Sequence, residues 1–141
     1  MKAIIGSQFP KIAKEQIENA KKSIKIIVYD WRTYFNDAGN PVQLFNQTLV
    51  RAALRGVEIK AIVNNDEILK FLEANKIKAK KCRSKGLIHA KLLLIDDEII
   101  IIGSHNYTQN AFTMNQEVSA LIDDKEASAK YRGYFEALWA L

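Results

Sequence analysis

Residues 89–106 read HAKLLLIDDEIIIIGSHN, and this stretch carries most of what the sequence reveals about architecture and chemistry. It predicts two buried strands, Ala90–Ile95 and Glu98–Ile102, because both are dominated by aliphatic side chains. The acidic pair Asp96–Asp97 between them predicts a tight turn. In such a hairpin the end of the second strand returns beside the start of the first. Polar residues at those two strand ends therefore meet at one edge of a sheet.

Those polar residues form two pairs with the same spacing. Residues two apart on a strand point to one face, about 6.6 Å apart. His89 and Lys91 form one such pair, and Ser104 and Asn106 form the other. A neutral imidazole can attack phosphorus and form a covalent intermediate. A lysine and hydrogen-bond donors can hold the developing charge on the phosphoryl oxygens. The pattern therefore indicates phosphoryl transfer, with His89 as nucleophile and Lys91, Ser104 and Asn106 as oxygen ligands.

The nucleophile also needs a carboxylate that fixes its tautomer and a proton donor for the leaving oxygen. Asp96 and Glu117 are the two candidates for the carboxylate. His105 is unsuitable as the donor, because alternation along an extended segment points it away from Ser104 and Asn106. A second copy of the chain would supply the missing imidazole.

The spacing H-x-K-x4-D-x6-G-S-x-N resembles the signature of the phospholipase D superfamily. Its six specified positions are His89, Lys91, Asp96, Gly103, Ser104 and Asn106. Tyr29-Asp30 at a strand end, the turn at 54–57 and Asn115-Gln116-Glu117 are similar to the small Nuc-type bacterial endonucleases, over about residues 10–140. The resemblance implies an α/β fold with a mixed β-sheet sandwiched between helices. It also implies a single phospholipase D-like domain over 1–141 with one motif per chain.

The resemblance further implies a metal-independent phosphodiesterase or endonuclease that needs no cofactor. It implies a homodimer in which one His89 becomes phosphohistidine while the partner subunit's His89 protonates the leaving oxygen. Glu117 is then preferred over Asp96 as the residue that orients the histidine. Asp96 would support the hairpin or bond across the dimer interface. We expect a bell-shaped pH–rate profile, because one imidazole must be neutral and the other protonated.

The charge distribution points to an anionic substrate. The net charge is +5, but residues 1–91 hold 18 basic and 8 acidic side chains, whereas residues 92–141 hold 3 and 8. The run at 76–85 contains six basic residues and no acidic one: Lys76, Lys78, Lys80, Lys81, Arg83 and Lys85. Such a run attracts polyanions. Its alternative reading is a solvated edge strand whose lysines discourage aggregation.

Nucleic acid (DNA, RNA or both) is the substrate that these features favour. Lys85 and Gly103 are candidate substrate-binding residues. Tyr29, Trp31 and Tyr107 could stack on bases, although ordinary packing is the alternative for Trp31. A phospholipase or phosphatidyltransferase acting on lipid diesters is a second hypothesis, because the motif chemistry is shared. A non-catalytic nucleic-acid-binding module is a third.

Periodicity along the rest of the chain predicts alternating strands and helices. The predicted strands are 3–5, 24–29, 57–63, 76–81 and 116–122, and the predicted helices are 10–22, 41–55, 66–74 and one capped by Asp123-Asp124. Residues 31–39 and 105–114 are expected to be loops near the site. No run approaches the ~18 apolar residues of a membrane helix, and the single Cys82 excludes an internal disulfide. We expect a cytoplasmic protein; a secreted or periplasmic one whose leader had been removed would have the same sequence.

Overall fold

A seven-stranded mixed sheet forms the centre of the molecule in the computed structural model, which describes all 141 residues. Five helices and one 3₁₀ turn accompany it. In chain order the elements are β1 (Lys2–Ile5), the 3₁₀ turn (Gly6–Gln8), α1 (Phe9–Asn19), β2 (Ser23–Ile27), α2 (Pro41–Leu54), β3 (Glu58–Ile62), α3 (Asp66–Ala74), β4 (Lys78–Lys80), β5 (Leu92–Ile95), β6 (Ile99–Gly103), α4 (Gln109–Thr113), β7 (Val118–Asp123) and α5 (Lys125–Trp139).

The sheet has a parallel half and an antiparallel half. Its strand order is β1-β7-β6-β5-β2-β3-β4. β2, β3 and β4 run parallel to one another, and helices α2 and α3 form the crossover connections that this arrangement needs. β5 lies antiparallel to β2, and β6, β7 and β1 continue antiparallel outward. The predicted α/β class with a mixed sheet is confirmed.

Helices cover both faces of the sheet, but unequally. The larger core lies between one face and α1 to α4, and it includes Phe9, Phe45 and Ile68. The smaller core lies on the other face, where α5 contributes Phe135 and Leu138. The resemblance-based expectation of a sheet between two helical layers is therefore confirmed.

Strand direction gathers several chain segments at one edge of the sheet. β2, β3, β4, β6 and β1 end at this edge, and β5 and β7 begin there. The residues before β5 and after β6 therefore meet, as the hairpin prediction required. We call this side of the sheet the motif edge, and the side holding the turn between β5 and β6 the opposite edge.

One predicted loop contains a helix. Residues 105–114 were expected to lack regular structure, yet Gln109–Thr113 forms α4. Thr108 caps it, because its hydroxyl accepts a 3.2 Å hydrogen bond from the backbone N–H of Ala111. A helix of 5 residues is too short to produce a readable apolar period. None of the five helices is both long and apolar enough to span a membrane.

Candidate active site

His89 lies exposed at the motif edge beside two side chains that hold its ring in place. The Nζ atom of Lys91 is 3.0 Å from its Nδ1 and 3.3 Å from its Nε2. The ring of Tyr29, which follows β2, lies 4.7 Å from the imidazole, centroid to centroid. An ammonium can only donate, so a hydrogen bond here needs an unprotonated ring nitrogen of His89 as its acceptor.

Lys91 is partly buried, and this environment alters its titration. Burial lowers the pKa of the Lys91 ammonium from its ordinary value, and the negative charge of Glu117 opposes that effect. The ammonium also lies 5.8 Å from the centroid of the Tyr29 ring. A partly desolvated cation attracts an anion more strongly than a fully hydrated one. Lys91 is therefore well placed to bind a phosphoryl oxygen beside His89.

Ser104 and Glu117 are joined across the start of β7. The Ser104 hydroxyl donates a 2.6 Å hydrogen bond to Oε1 of Glu117 and accepts one of 3.0 Å from the Val118 backbone N–H. Asn115 donates to the other carboxylate oxygen at 3.1 Å. No hydrogen bond joins Glu117 to His89 within one chain. The resemblance implies that Glu117 orients the histidine, but within one subunit the two side chains are not in direct contact.

Asn106 is fixed by the segment that follows β2. Its Oδ1 accepts a 3.0 Å hydrogen bond from the backbone N–H of Asp30. The carbonyl of Asp30 in turn accepts a 2.9 Å bond from the N–H of Tyr107. These contacts hold the amide group with its NH₂ free of partners in the chain. Asn106 therefore keeps two donors for a substrate oxygen.

Gly103 is required by the close approach of two strands. A Cβ atom at this position would lie 2.3 Å from Oγ of Ser119 and 2.4 Å from the carbonyl oxygen of Val118. No side chain fits there, so only glycine lets β6 pair with β7 at the motif edge. Gly103 lets the backbone before Ser104 pack closely against β7. It lies next to the site but has no side chain that could contact a substrate.

Asn64 is a site residue that the sequence reading missed. Its Nδ2 donates to the carbonyl of Tyr29 at 3.0 Å and to the carbonyl of Ile88 at 3.1 Å. It therefore ties together the two segments that place the Tyr29 and His89 rings in contact. The signal was an Asn-Asn pair directly after a strand that runs parallel to β2, since parallel strands end at the same edge.

The structure corrects the placement of Asp96, which the sequence reading included in the catalytic set. Lys91 and Asp96 flank β5, so the length of that strand, about 16 Å, separates them. The Asp96 carboxylate accepts backbone N–H bonds of 2.7 to 3.2 Å from Lys21, Lys22 and Ser23 at the opposite edge. Asp96 anchors the hairpin turn to the start of β2. Support of the hairpin is one of the two alternative roles that the resemblance implies for Asp96.

Trp31 and Tyr107, both candidate substrate-binding residues, are corrected as well. Each is only 1% exposed and belongs to the larger core. Their rings pack edge to face at 5.1 Å, and the Trp31 indole donates to Oδ1 of Asn46 at 2.8 Å. Neither ring can stack on a base. The packing alternative for Trp31 is the one that the structure shows, and Tyr29 remains the aromatic ring at the site.

His105 is buried and fully engaged. It is 1% exposed, and its ring stacks on Phe9 at 4.5 Å. Nε2 lies 2.8 Å from the Gly6 carbonyl oxygen, and Nδ1 lies 2.7 Å from Oγ of Ser119. Burial lowers the pKa of this imidazole. With neither nitrogen accessible, His105 cannot donate a proton at the site, which agrees with its orientation predicted from alternation.

The basic run at 76–85 divides between two locations. Lys80 lies 5.2 Å from the ring centroid of Trp139, and Lys81 forms a 2.6 Å ion pair with Asp66. Arg83 and Lys85 lie exposed, without acidic partners, in the segment that leads from β4 to His89. Arg83 and Lys85 thus leave two unpaired positive charges in the segment before His89, and substrate binding by Lys85 stays a prediction.

Two polar grooves lie side by side at the motif edge, and Asn106 lines one of them. One, of about 370 Å³, is lined by residues 29–32, Asn64, Asn65 and Glu67. The other, of about 580 Å³, is lined by Asp30, residues 32–34, Glu67, Asn106 and the polar side chains of Thr108, Gln109, Asn110 and Asn115. Amide and hydroxyl groups dominate the second groove. Nowhere in the chain do three or more histidine, cysteine, aspartate or glutamate side chains cluster as metal ligands would.

The model of the family described as "Cardiolipin synthase, PLD-like domain" matches residues 13–139 of this chain. The chain belongs to the phospholipase D superfamily. The match covers every strand except β1 and includes the whole motif edge from Tyr29 to Glu117.

Relatives within the phospholipase D superfamily differ in length. A cardiolipin synthase from Staphylococcus aureus is 33% identical over 131 residues, which cover 86% of this chain but 25% of that protein. The chain thus spans about a quarter of this relative. NucT from Helicobacter pylori has 24% identity and a TM-score of 0.78, covering 98% of this chain and 94% of NucT. Nuc from Salmonella typhimurium, described as a phospholipase D family member, has 19% identity, a TM-score of 0.83, and coverage of 98% and 93%.

Five of the six residues of the phospholipase D signature lie together at the motif edge, and the sixth lies elsewhere. His89, Lys91, Ser104 and Asn106 lie at the motif edge, with Gly103 beneath them and Glu117 beside Ser104. Asp96 lies at the opposite edge. The four polar groups are one imidazole, one cation, one hydroxyl and one amide, and no second imidazole is accessible.

Proposed function

We propose that this chain is a metal-independent phosphodiesterase that cleaves nucleic-acid phosphodiester bonds through a phosphohistidine at His89. The observation that carries the proposal is the exposed imidazole of His89 held 3.0 Å from the Lys91 ammonium. In this arrangement the proposed nucleophile and a cation that can bind a phosphoryl oxygen are in direct contact. Membership in the phospholipase D superfamily supports this class of reaction.

The first step forms a bond between an unprotonated ring nitrogen of His89 and phosphorus. The bond from phosphorus to the leaving oxygen breaks, and that oxygen takes a proton from an imidazolium. Lys91 and the free NH₂ of Asn106 hold the non-bridging oxygens as charge develops on them. In the second step a water molecule gives a proton to the imidazole that protonated the leaving oxygen, which is now neutral. The water oxygen attacks phosphorus, and the bond between phosphorus and the His89 nitrogen breaks.

The imidazolium comes from the partner subunit's His89 in a homodimer. His105, the chain's other histidine, has both nitrogens engaged and is 1% exposed. Five of the large exposed apolar side chains surround the motif edge and form an apolar rim: Ile5, Phe35, Leu87, Met114 and Val118, each 55–73% exposed. Large exposed apolar side chains grouped around a site favour an interface there. A second copy seated on the apolar rim would bring its own His89 to the same phosphorus.

Nucleic acid is favoured as substrate by charge and by groove chemistry. Arg83 and Lys85 provide unpaired cations on the approach to His89, and the grooves beside Asn106 present amides and hydroxyls. Such groups suit sugars and bases, whereas acyl chains require apolar walls. The alternative is a phospholipase or phosphatidyltransferase, and the identity to a cardiolipin synthase is the observation that favours it.

The test measures turnover of matched substrates with EDTA present throughout. Labelled single-stranded DNA, duplex DNA, RNA and phosphatidylglycerol vesicles are incubated with the wild type and with His89→Asn. We expect cleavage of oligonucleotides, an acid-labile phosphoenzyme in the wild type, and neither in the variant. Turnover of lipid alone would overturn the nuclease proposal. Binding of oligonucleotide with no turnover from pH 5 to pH 8 would favour a non-catalytic module.

Sedimentation of the purified protein tests the homodimer. We expect a dimer in the wild type and dissociation in the double variant Leu87→Ser/Val118→Ser, whose changes lie on the apolar rim. The control Leu44→Ser/Leu54→Ser replaces two other exposed leucines, on α2, and should remain dimeric. A monomeric wild type that floats with phosphatidylglycerol vesicles would instead assign the apolar rim to a lipid surface.

A further inference from the structure

Arg32 is the one cationic side chain that lines the two polar grooves at the motif edge. Both grooves share Asp30, Arg32 and Glu67, so the guanidinium lies where they meet. The Arg32 side chain is 62% exposed. One groove begins at Tyr29, which contacts His89, and the other at Asn106, so a substrate strand lying in either groove comes close to Arg32.

The backbone around Arg32 is rigidly attached to the site although its side chain is free. The Arg32 N–H donates to the Tyr107 carbonyl at 3.0 Å, and the Tyr107 N–H donates to the Asp30 carbonyl at 2.9 Å. Asp30 also donates its N–H to Oδ1 of Asn106. The base of Arg32 is therefore held at a constant distance from Asn106.

The side chain of Arg32 is held by a pairing that a substrate can replace. Nε lies 2.6 Å from Oδ1 of Asp30, and Nη2 lies 3.3 Å from Oδ2. An exposed ion pair of this kind contributes about 0–1 kcal/mol, so breaking it costs little. A phosphate accepts the same two parallel hydrogen bonds from a guanidinium. In the free protein Asp30 thus orients the Arg32 guanidinium in a position where it could bind a phosphate.

We propose that Arg32 binds the phosphate adjacent to the scissile one on a polynucleotide strand, exchanging Asp30 for that phosphate. This inference rests on the proposed nuclease function and adds a specificity residue to it. The sugar and base between the two phosphates lie against the amides and hydroxyls of Asn106, Thr108 and Asn110. The enzyme consequently prefers diesters that have a charged neighbour over isolated diesters.

The first experiment compares two substrates that differ in the number of phosphates. Bis(p-nitrophenyl) phosphate contains one phosphorus, and a thymidine trinucleotide contains two successive linkages. Arg32→Gln should lower kcat/KM for the trinucleotide by about ten- to hundredfold, as expected for loss of a charged hydrogen-bonded contact. Hydrolysis of the small diester should change less than twofold. Arg132→Gln is the matched control, because Arg132 is an exposed arginine facing Asp97 at the opposite edge, 3.9 Å away.

The second experiment removes the charge from the substrate instead. A methylphosphonate replaces one linkage of the trinucleotide, in both possible placements, and cleavage of the other linkage is followed by chromatography. With the wild type, a methylphosphonate at the linkage that Arg32 contacts should slow cleavage of the other linkage. The factor should equal the loss that Arg32→Gln causes on the unmodified trinucleotide. In the Arg32→Gln variant that placement should add no further loss, because the contact is already absent.

The outcomes separate this inference from the proposed function. Equal losses on both substrates, no loss on either, or additive effects of the variant and the methylphosphonate would each overturn the role of Arg32 while leaving the nuclease proposal intact. A wild type that cleaves neither substrate would refute the nuclease proposal, and this inference with it.

Discussion

The Ser104 hydroxyl and the Glu117 carboxylate lie 2.6 Å apart, and the serine donates the hydrogen bond. Glu117 also offsets part of the pKa depression that burial imposes on Lys91. One carboxylate thus orders a donor of the motif and supports the charge of its cation. This double function makes Glu117 the acidic residue through which the site is best probed.

Replacement of Glu117 by Gln should steepen the alkaline side of the pH–rate profile, where loss of the Lys91 proton acts in addition to loss of the proton on the donor imidazole. Without the negative charge, the pKa of Lys91 falls further, so the ammonium loses its proton at a lower pH than in the wild type. The fall of kcat/KM on the alkaline side should therefore begin at lower pH, with kcat/KM reduced at neutral pH as well. Rate profiles from pH 5 to pH 10 measure this. Profiles that superimpose after scaling would contradict an electrostatic link between the two residues.

Lys91→Met should lower kcat by about 10²–10³-fold, the usual cost of losing one oxyanion ligand. Lys91→Arg keeps the charge at every accessible pH, so it should retain part of the activity and lose any contribution of residue 91 to the alkaline limb. Steady-state kinetics on an oligonucleotide distinguish the three proteins. Lys85→Met, on the exposed approach to the site, is the control and should mainly raise KM.

Gly103→Ala should destabilise the fold by more than about 2 kcal/mol, because the added Cβ would meet Ser119 and Val118 at 2.3–2.4 Å. Thermal unfolding measures the effect. Gly133→Ala in α5 is the matched control: nothing lies within 4 Å of its added Cβ, and alanine suits a helix better, so stability should stay equal or rise by up to about 1 kcal/mol. Equal unfolding temperatures for Gly103→Ala and the wild type would mean that β6 and β7 are not packed this closely.

Asp96→Asn should destabilise the protein at neutral pH without changing the chemistry. Burial acts to raise the pKa of Asp96, but the backbone N–H donors of Ser23, Lys22 and Lys21 outweigh it and lower that pKa below its ordinary 3.8. A depressed carboxyl pKa stabilises the fold fully above the unfolded value, and the effect is lost as pH falls through the folded value. The stability gap between the variant and the wild type should therefore be constant above about pH 5 and close below pH 3.8.

Denaturant titrations across that pH range provide the measurement, and kcat at pH 7 is the companion readout. Asparagine tolerates the left-handed backbone of residue 96, at φ 54°, as well as aspartate does. A large loss of kcat with unchanged stability would instead return Asp96 to the active site.

The sequence predicted the motif edge because strand alternation and hairpin geometry act locally. His89, Lys91, Ser104 and Asn106 lie at the same end of the β5–β6 hairpin, as their spacing indicated. The environment of Asp96 was not readable, because its partners at 21–23 lie more than seventy positions away. Trp31 and Tyr107 were misjudged because aromatic side chains after strands look alike whether a core or a solvent groove receives them. For Asn64, the position after β3 indicates the motif edge, but its two carbonyl partners lie on other segments and could not be predicted.

Mixed dimers of wild-type and His89→Ala subunits test the shared site most directly. Two affinity tags on co-expressed subunits allow the mixed dimer to be isolated from both parents. In the proposed mechanism one subunit supplies the nucleophilic imidazole and the other the proton-donating imidazole, so we predict that the mixed dimer keeps less than a few per cent of wild-type activity. Retention of about half the activity would show that each subunit works alone and would contradict the composite site.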